Sequence, residues 1–455
     1  MRPLAGGRLI LTQCPGSRAK GGNTCYAGLW NHWPEAVMSQ CPYTNLLDPD
    51  LYGAGNHLPK LGELRARADA PIVKIDDPLT GIPYWAVLYR EHVDYIAKHP
   101  AIFSSEKRLT IPTEYDDDTI ALQASMLANM DPPRHGKFRR IARNAFTPRA
   151  VESYHDTFAG YARQIIDAVA HKGHCEFVTE VAAELPLMAI LDLCGVPIEE
   201  RGQFFTWTNQ MMFQEDEDVG GDDAAALAQE AAANIYVYAG QLAEQHARTP
   251  LNNIVGALLD GEVEEEKLTP EEFQLFFLML IAAGNESTRS VTAHGMRLLM
   301  EHPEQLQMLV DDPGLIPDAC EEMLRYNPAF VTMRRTVMED TEVAGVQMYA
   351  GNKVLLPWHL INQDETVFDD PMEFDITRAR RMPDLGREHR AFGIGTHYCL
   401  GAHLARMELQ IMFEELIPRL RNPQFAAPVK YMRDYFVNGI KEMQITFDKE
   451  LESAA

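Results

Sequence analysis

One long helix is the feature of this sequence that most constrains its fold. Thr269 as N-cap, Pro270 at the first helical position and Glu272 three residues after the cap predict a capping box. The helical pattern then covers 271–301 and ends at His302. About thirty residues at ~1.5 Å each give a helix of about 45 Å, long enough to cross a whole domain. Its first half is apolar on nearly all faces, which predicts that it runs through a core.

The rest of the chain predicts a mainly α protein with a minor β portion. Short runs of β-forming residues indicate a hairpin within 70–90 and further strands at 331–357 and at the C-terminus. With no repeat and no linker, we expect 38–455 to form a single large domain. Residues 1–37 lack both periodicities and are predicted to be a disordered extension or an unused upstream start. Other helices are expected at 151–171, 180–194, 199–213, 224–248, 303–311, 314–326 and 400–416.

Composition excludes several classes of protein. The chain has 41 Lys and Arg against 66 Asp and Glu, a formal charge of -25, which argues against nucleic acid as a partner. Its longest apolar stretch, 275–283, is well short of the roughly 20 residues of a membrane span, so no membrane span is expected. Seven scattered cysteines without a CxxC pair argue against a disulfide framework and a zinc site, and favour a cytoplasmic location.

A glycine-rich loop, Phe392 to Gly401, carries one cysteine, Cys399, just before a predicted helix. Gly393, Gly395 and Gly401 allow a close approach of the backbone and positive φ angles. Free N–H groups at the helix start would stabilise a thiolate and would tune a metal bound to its sulfur. A lone cysteine is more often a small buried hydrophobe, but the ten-residue pattern argues against that reading.

The loop resembles the haem-binding signature of the cytochrome P450 family, in its soluble bacterial class. The signature Phe-x-x-Gly-x-x-x-Cys-x-Gly matches at each fixed position. The resemblance implies the cytochrome P450 fold and haem b as cofactor, with Cys399 as the proximal ligand of the iron. It also places Phe392, Gly393 and Gly401 against the macrocycle.

Four further residues resemble those that bind the haem propionates in this family. His135 and Arg139 match His-x-x-x-Arg, a spacing that puts both on one helical face. Arg335 matches an arginine that precedes the next strand, and His397 lies in the cysteine loop. Buried carboxylates need fixed cationic donors, which these residues would supply.

The long helix contains a polar interruption that resembles the family's oxygen-binding segment. Ala283 and Gly284 would border the iron, and the resemblance implies that Gly284 leaves room for dioxygen. Glu286 and the next hydroxyl would relay protons. The usual threonine is replaced by Ser287, with Thr288 beside it, so either could be the working alcohol; position favours Ser287.

A helical pair, Glu322 and Arg325, resembles the family's Glu-x-x-Arg motif, which locks the region around the cysteine. The third, basic partner of that pair would fall at Glu373, which is an acid here. Arg378, just downstream, is a possible substitute.

The implied activity is monooxygenation, in which one oxygen atom of O2 enters a C–H bond of an apolar small molecule. The residues of these motifs resemble those of family members that oxidise sterols, terpenoids or alkyl chains. Alternatives are a peroxygenase driven by hydrogen peroxide and a non-catalytic haem-thiolate sensor or carrier. The acid and hydroxyl at Glu286 and Ser287 favour O2 with external electrons over both.

Two basic segments suggest where those electrons enter. Arg134 to Arg149 contains six cations and no acid, and Arg378 to Arg406 contains six arginines and two acids. By resemblance both segments flank the proximal face beneath Cys399. We therefore expect a ferredoxin-type partner to bind a basic proximal face, while the acidic remainder of the surface repels it.

Overall fold

The computed structural model describes residues 44–76, 81–107, 120–121, 123–143, 146–213, 216–264 and 266–450. The predicted extension 1–37 lies outside them, and the described residues all belong to one unit, Cys41–Ala455. The structure is 57% helical and 12% strand, which confirms the mainly α prediction. In chain order the α-helices are α1 Pro49–Gly53, α2 His57–Arg67, α3 Arg90–Lys98, α4 Arg134–Arg143, α5 Pro148–Glu152, α6 His155–Ala170, α7 Glu184–Cys194, α8 Arg201–Met212, α9 Glu217–Gly220, α10 Ala224–Arg248, α11 Ile254–Asp260, α12 Pro270–Glu301, α13 Pro303–Asp311, α14 Ile316–Tyr326, α15 Trp358–Ile361, α16 Arg378–Arg381, α17 Leu385–Glu388 and α18 Ala402–Leu416.

Helix α12 is the predicted long helix, and it has 32 residues. Its capping box is present: the Thr269 hydroxyl accepts from the Glu272 N–H at 3.2 Å, and the Glu272 carboxylate accepts from the Thr269 N–H at 3.0 Å. The helix packs against α7, α8, α10, α14 and α18. It therefore crosses the core as expected.

A five-stranded sheet, in the order β1-β2-β10-β7-β3, lies beside the helices. The predicted hairpin is confirmed, since β1 and β2 pair antiparallel with Ile72 opposite Val87. Strand β10 runs parallel to β2 and antiparallel to β7. The strands are β1 Ile72–Ile75, β2 Tyr84–Val87, β3 Phe103–Ser104, β4 His174–Glu176, β5 Glu262–Val263, β6 Glu266–Lys267, β7 Thr332–Val337, β8 Thr341–Val343, β9 Val346–Met348, β10 Lys353–Pro357, β11 Gln424–Phe425, β12 Lys430–Tyr431, β13 Ile440–Glu442 and β14 Gln444–Thr446.

Two predicted helices differ from the structure at their starts. The pattern from residue 151 divides into α5 and α6, because Thr147 caps a separate short helix that opens with Pro148. The pattern from residue 180 divides into a π-helical turn, Val178–Ala182, and α7. None of the described helices is both long and apolar enough to cross a bilayer.

Candidate active site

The cysteine loop is shaped by two glycines with left-handed backbones, Gly393 at φ 68° and Gly395 at φ 74°. A Cβ on Gly395 would lie 2.7 Å from the carbonyl oxygen of Ala97, so this position excludes a side chain. The N–H of Cys399 donates to the carbonyl of Phe392 at 2.9 Å and closes the loop. Helix α18 begins at Ala402, three residues after the cysteine and two residues later than predicted.

The Cys399 side chain is accessible, whereas the other three described cysteines are buried. Surrounding protein raises the pKa of the Cys399 thiol, while the Gly401 N–H and the charges of Arg139 and Arg406 lower it. An accessible sulfur with a backbone donor and two nearby cations suits a thiolate ligand to a metal. The donor chemistry of the site therefore fits the iron of a haem.

A cluster of cationic and imidazole side chains lies next to this loop. The rings of His135 and His397 are 4.4 Å apart between centroids. Burial lowers the pKa of His135 to about 4 and that of His397 to about 2, so both rings are neutral N–H donors at neutral pH. Arg139, on the same helix as His135, donates to the carbonyl of Tyr398. The structure thus brings His135, Arg139 and His397 together.

Arg335 completes this cluster from inside strand β7, rather than from before the next strand as expected. It is 3% exposed, and its charge lowers the pKa of His397. Burial lowers the pKa of Arg335 itself to about 10, so it remains charged at neutral pH. It donates to the carbonyl of Arg334 at 2.7 Å, and none of the described carboxylates forms an ion pair with it. A buried guanidinium in this state fits an incoming carboxylate such as a haem propionate.

Helix α12 presents Ala283, Gly284 and Ser287 on its accessible side. The Ser287 hydroxyl donates to the carbonyl of Ala283 at 2.8 Å. A Cβ on Gly284 would lie 3.2 Å from the Ile190 side chain, so this glycine allows the close packing of α12 on α7. That it also leaves room for dioxygen stays a prediction.

Glu286 lies on the other side of α12 and is 1% exposed. Its carboxylate accepts from the Thr208 hydroxyl at 3.1 Å and from the Asn285 amide at 3.0 Å, and it pairs with Arg289. Burial raises the pKa of Glu286, and the charge of Arg289 opposes this. Sequence reasoning missed Thr208, which comes from α8, 78 residues away, and no local pattern could have revealed it.

Thr288 and Ser287 occupy different environments. Thr288 is buried, and its hydroxyl interacts with the carboxyl of Glu408 on α18. Burial raises the pKa of Glu408 well above its usual range and so favours the neutral form of this carboxyl. Of the two candidate alcohols, Ser287 is therefore the one on the accessible side of the helix.

Beneath the cysteine loop, the Glu322 carboxylate is shared by two arginines. Arg325 donates to both of its oxygens at 2.8 Å, and Arg378 donates to both at 3.1 Å. All three side chains are 3% exposed or less. Arg378 is thus confirmed as the third partner, in place of the acid at Glu373.

The two basic segments carry less free charge than the sequence suggests, because acids from distant parts of the chain pair with them. Glutamates of the β5–β6 hairpin and of α12 bind the cations of α4, and most arginines of 378–406 are also paired. Arg143 and Arg149 remain exposed, and so does Arg387, although Asp384 lies 3.5 Å from it. The pairs are Arg134–Glu272, Lys137–Glu264, Lys137–Glu266, Arg140–Glu264, Arg378–Glu322, Arg380–Asp312, Arg381–Asp375, Arg387–Asp384, Arg390–Asp94 and Arg406–Glu321.

Comparison with known proteins agrees with this site. The family model for cytochrome P450 matches residues 315–447. A steroid C26-monooxygenase of Mycobacterium tuberculosis is 34% identical over 438 residues, covering 92% of this chain and 98% of the relative. A methyl-branched lipid omega-hydroxylase of the same species is 34% identical over 383 residues, covering 83% and 87%.

Solved structures show the same fold. A Mycobacterium marinum cytochrome P450 in complex with pseudoionone superposes with a TM-score of 0.80 at 30% identity, covering 90% of this chain and 100% of that one. A Bacillus megaterium cytochrome P450 in complex with testosterone gives 0.76 at 29% identity, covering 89% and 100%. With Cys399 in its signature loop and these relatives matched along most of their length, the chain belongs to the cytochrome P450 family and is a haem-thiolate monooxygenase.

Proposed function

We propose that this monooxygenase hydroxylates a C–H bond of an apolar steroid or branched-chain lipid, using O2 and electrons from a separate ferredoxin. Relatives of 34% identity are named a steroid C26-monooxygenase and a methyl-branched lipid omega-hydroxylase, which supports this substrate class. The half-buried aromatic rings of Phe330 and Phe436, 5.0 Å apart, offer an apolar wall. Phe204 and Phe213 are buried in the core.

Haem b is the proposed cofactor, and when bound it supplies the activation of O2. Cys399 would bind its iron through the sulfur. His135, Arg139, Arg335 and His397 would hold its two propionates, and Phe392, Gly393 and Gly401 would border its proximal face.

The observation that carries the proposed O2 chemistry is the placement of Ser287. Its hydroxyl lies on the accessible side of α12, fixed to the Ala283 carbonyl, directly after the buried acid Glu286. We propose that the Ser287 Oγ passes protons toward bound O2, and that Glu286, buried on the other side of α12, resupplies them when its pair with Arg289 opens. A sensor or carrier would not need this pair.

A substrate titration tests the proposal. Cholest-4-en-3-one and a methyl-branched fatty acid are added to the ferric holoprotein, with short polar alcohols as controls. We expect the apolar compounds alone to shift the spin state, and turnover under 18O2 to place one labelled atom in the product. Cys399→Ser, the matched control, should lose the thiolate-type CO difference spectrum. Product formed from hydrogen peroxide but not from O2 and reductant would instead establish a peroxygenase.

For the electron donor, we propose that the exposed cations Arg143, Arg149 and Arg387 face an acidic ferredoxin. Reduction by a [2Fe–2S] ferredoxin should then slow roughly tenfold as ionic strength rises to physiological values, because salt screens exposed charges. Arg143→Gln with Arg149→Gln should weaken this dependence, measured by stopped-flow reduction under CO. Equal rates at all salt concentrations would contradict an electrostatic docking face. The scattered cysteines of this chain support a cytoplasmic location for the enzyme and its ferredoxin.

A further inference from the structure

A second ion pair lies directly under the cysteine loop, beside the Glu322 cluster but separate from it. Arg406 of α18 donates to both carboxylate oxygens of Glu321, at 2.5 and 3.1 Å. The His389 ring contacts the same carboxylate at 2.8 Å. Both side chains of the pair are mostly shielded, with 18% of Arg406 and 16% of Glu321 exposed.

This pair touches the loop that presents the cysteine. The Arg406 guanidinium carbon lies 4.5 Å from the centroid of the Phe392 ring, a cation–π contact. The Phe392 carbonyl accepts from the Cys399 N–H.

Charge is balanced within the pair. The pKa of Glu321 falls to about 2 because hydrogen bonds from His389 and Arg406 outweigh its burial, so the carboxylate is ionised at neutral pH. Burial lowers the pKa of His389, which leaves its ring neutral. The site next to the loop therefore holds one positive charge, on Arg406, and one negative charge, on Glu321, while His389 is uncharged.

We propose that the Glu321–Arg406 pair is a positioning and tuning element in which each charge acts on the reduction potential of the thiolate-bound iron and the two charges are held in balance. The proposal rests on the assignment of Cys399 as the iron ligand. On reduction the iron gains one electron from the donor, no bond is made or broken, and the centre becomes more negative by one charge. Arg406 stabilises that extra charge and Glu321 opposes it, so the intact pair nearly cancels itself.

The two charges make opposite predictions when removed singly. Arg406→Gln leaves Glu321 unbalanced and should disfavour reduction. Glu321→Gln leaves Arg406 unbalanced and should favour it. Coulomb interactions at this degree of shielding are large enough that we expect at least about a threefold change in the ratio of reduced to oxidised protein, in opposite directions. The double variant should return close to the original ratio.

Spectroelectrochemical titration of the full-length holoprotein measures that ratio at the wild-type midpoint. Arg248→Gln is the control, because its side chain at the end of α10 is 79% exposed and should leave the ratio unchanged. Arg406→Lys and Glu321→Asp keep the charges and should hold the ratio near wild type, which covers the case in which a neutral variant fails to fold. A thiolate-type CO difference spectrum in each variant shows that the ligand is retained.

A purely structural role would move both single variants in the same direction, because either loss would loosen the loop. Shifts of the same sign, or no shift, alongside a normal CO spectrum would overturn the proposal and leave the ligand assignment intact. Absence of the thiolate-type spectrum in the wild type would overturn both.

Discussion

Arg378→Met is expected to destabilise the protein by about 3 kcal/mol, because breaking a buried polar cluster leaves its partners without donors. Besides Glu322, Arg378 binds three backbone carbonyls of the preceding loop, those of Asp369, Asp370 and Glu373. Methionine replaces most of the side-chain length but none of these hydrogen bonds. Because the family resemblance implies that the Glu322 cluster locks the region around the cysteine, haem retention should fall as well.

Arg380→Met, two residues along the same short helix, is the matched control. Its side chain is 56% exposed and meets Asp312 only at 3.5 Å. A surface pair of this kind contributes at most about 1 kcal/mol. Thermal unfolding followed by circular dichroism, with the haem content of the purified proteins, compares the two. Equal midpoints would show that Glu322 and Arg325 suffice without a third partner.

Arg378 also shows how much of the fold and of the site could be predicted from the sequence. Local signals predicted the fold well: the cap of α12 at Thr269 and the apolar periodicity after it depend on neighbours three and four residues apart, and both are confirmed. The substitute arginine could be proposed because it lies close to the position that a familiar motif leaves open. Only the folded chain shows that Arg378 and Glu322, 56 residues apart, share one buried site.

Contacts between side chains far apart in the chain could not be predicted from the sequence. From the sequence, the cations of α4 are expected to form an open basic patch. In the structure Lys137 and Arg140 pair with Glu264, which lies 124 residues after Arg140. Electrostatic pairing between surface side chains leaves no periodic trace, so no sequence pattern predicts it. No sequence pattern predicts that the Thr208 hydroxyl donates to Glu286, or that the Ile190 side chain packs closely against Gly284.

Ser287→Ala is expected to reduce the yield of product per NAD(P)H consumed by about tenfold, because it removes the hydroxyl that we assign to proton delivery. Thr288→Ala should leave that yield close to wild type. The Thr288 hydroxyl is buried against Glu408, on the side of the helix away from Ser287, so its loss should cost about 1 kcal/mol of stability instead.

Parallel measurements of NAD(P)H oxidation, hydrogen peroxide and hydroxylated product separate these outcomes. Ser287→Thr is the conservative control: it keeps the hydroxyl and adds a β-branch that limits its rotamers, so coupling should be retained. Uncoupling by Thr288→Ala, with normal coupling in Ser287→Ala, would exchange the roles of the two residues. Because the Ser287 hydroxyl bonds to the Ala283 carbonyl and the Thr288 hydroxyl interacts with the buried carboxyl of Glu408, the two variants should differ both in coupling and in stability.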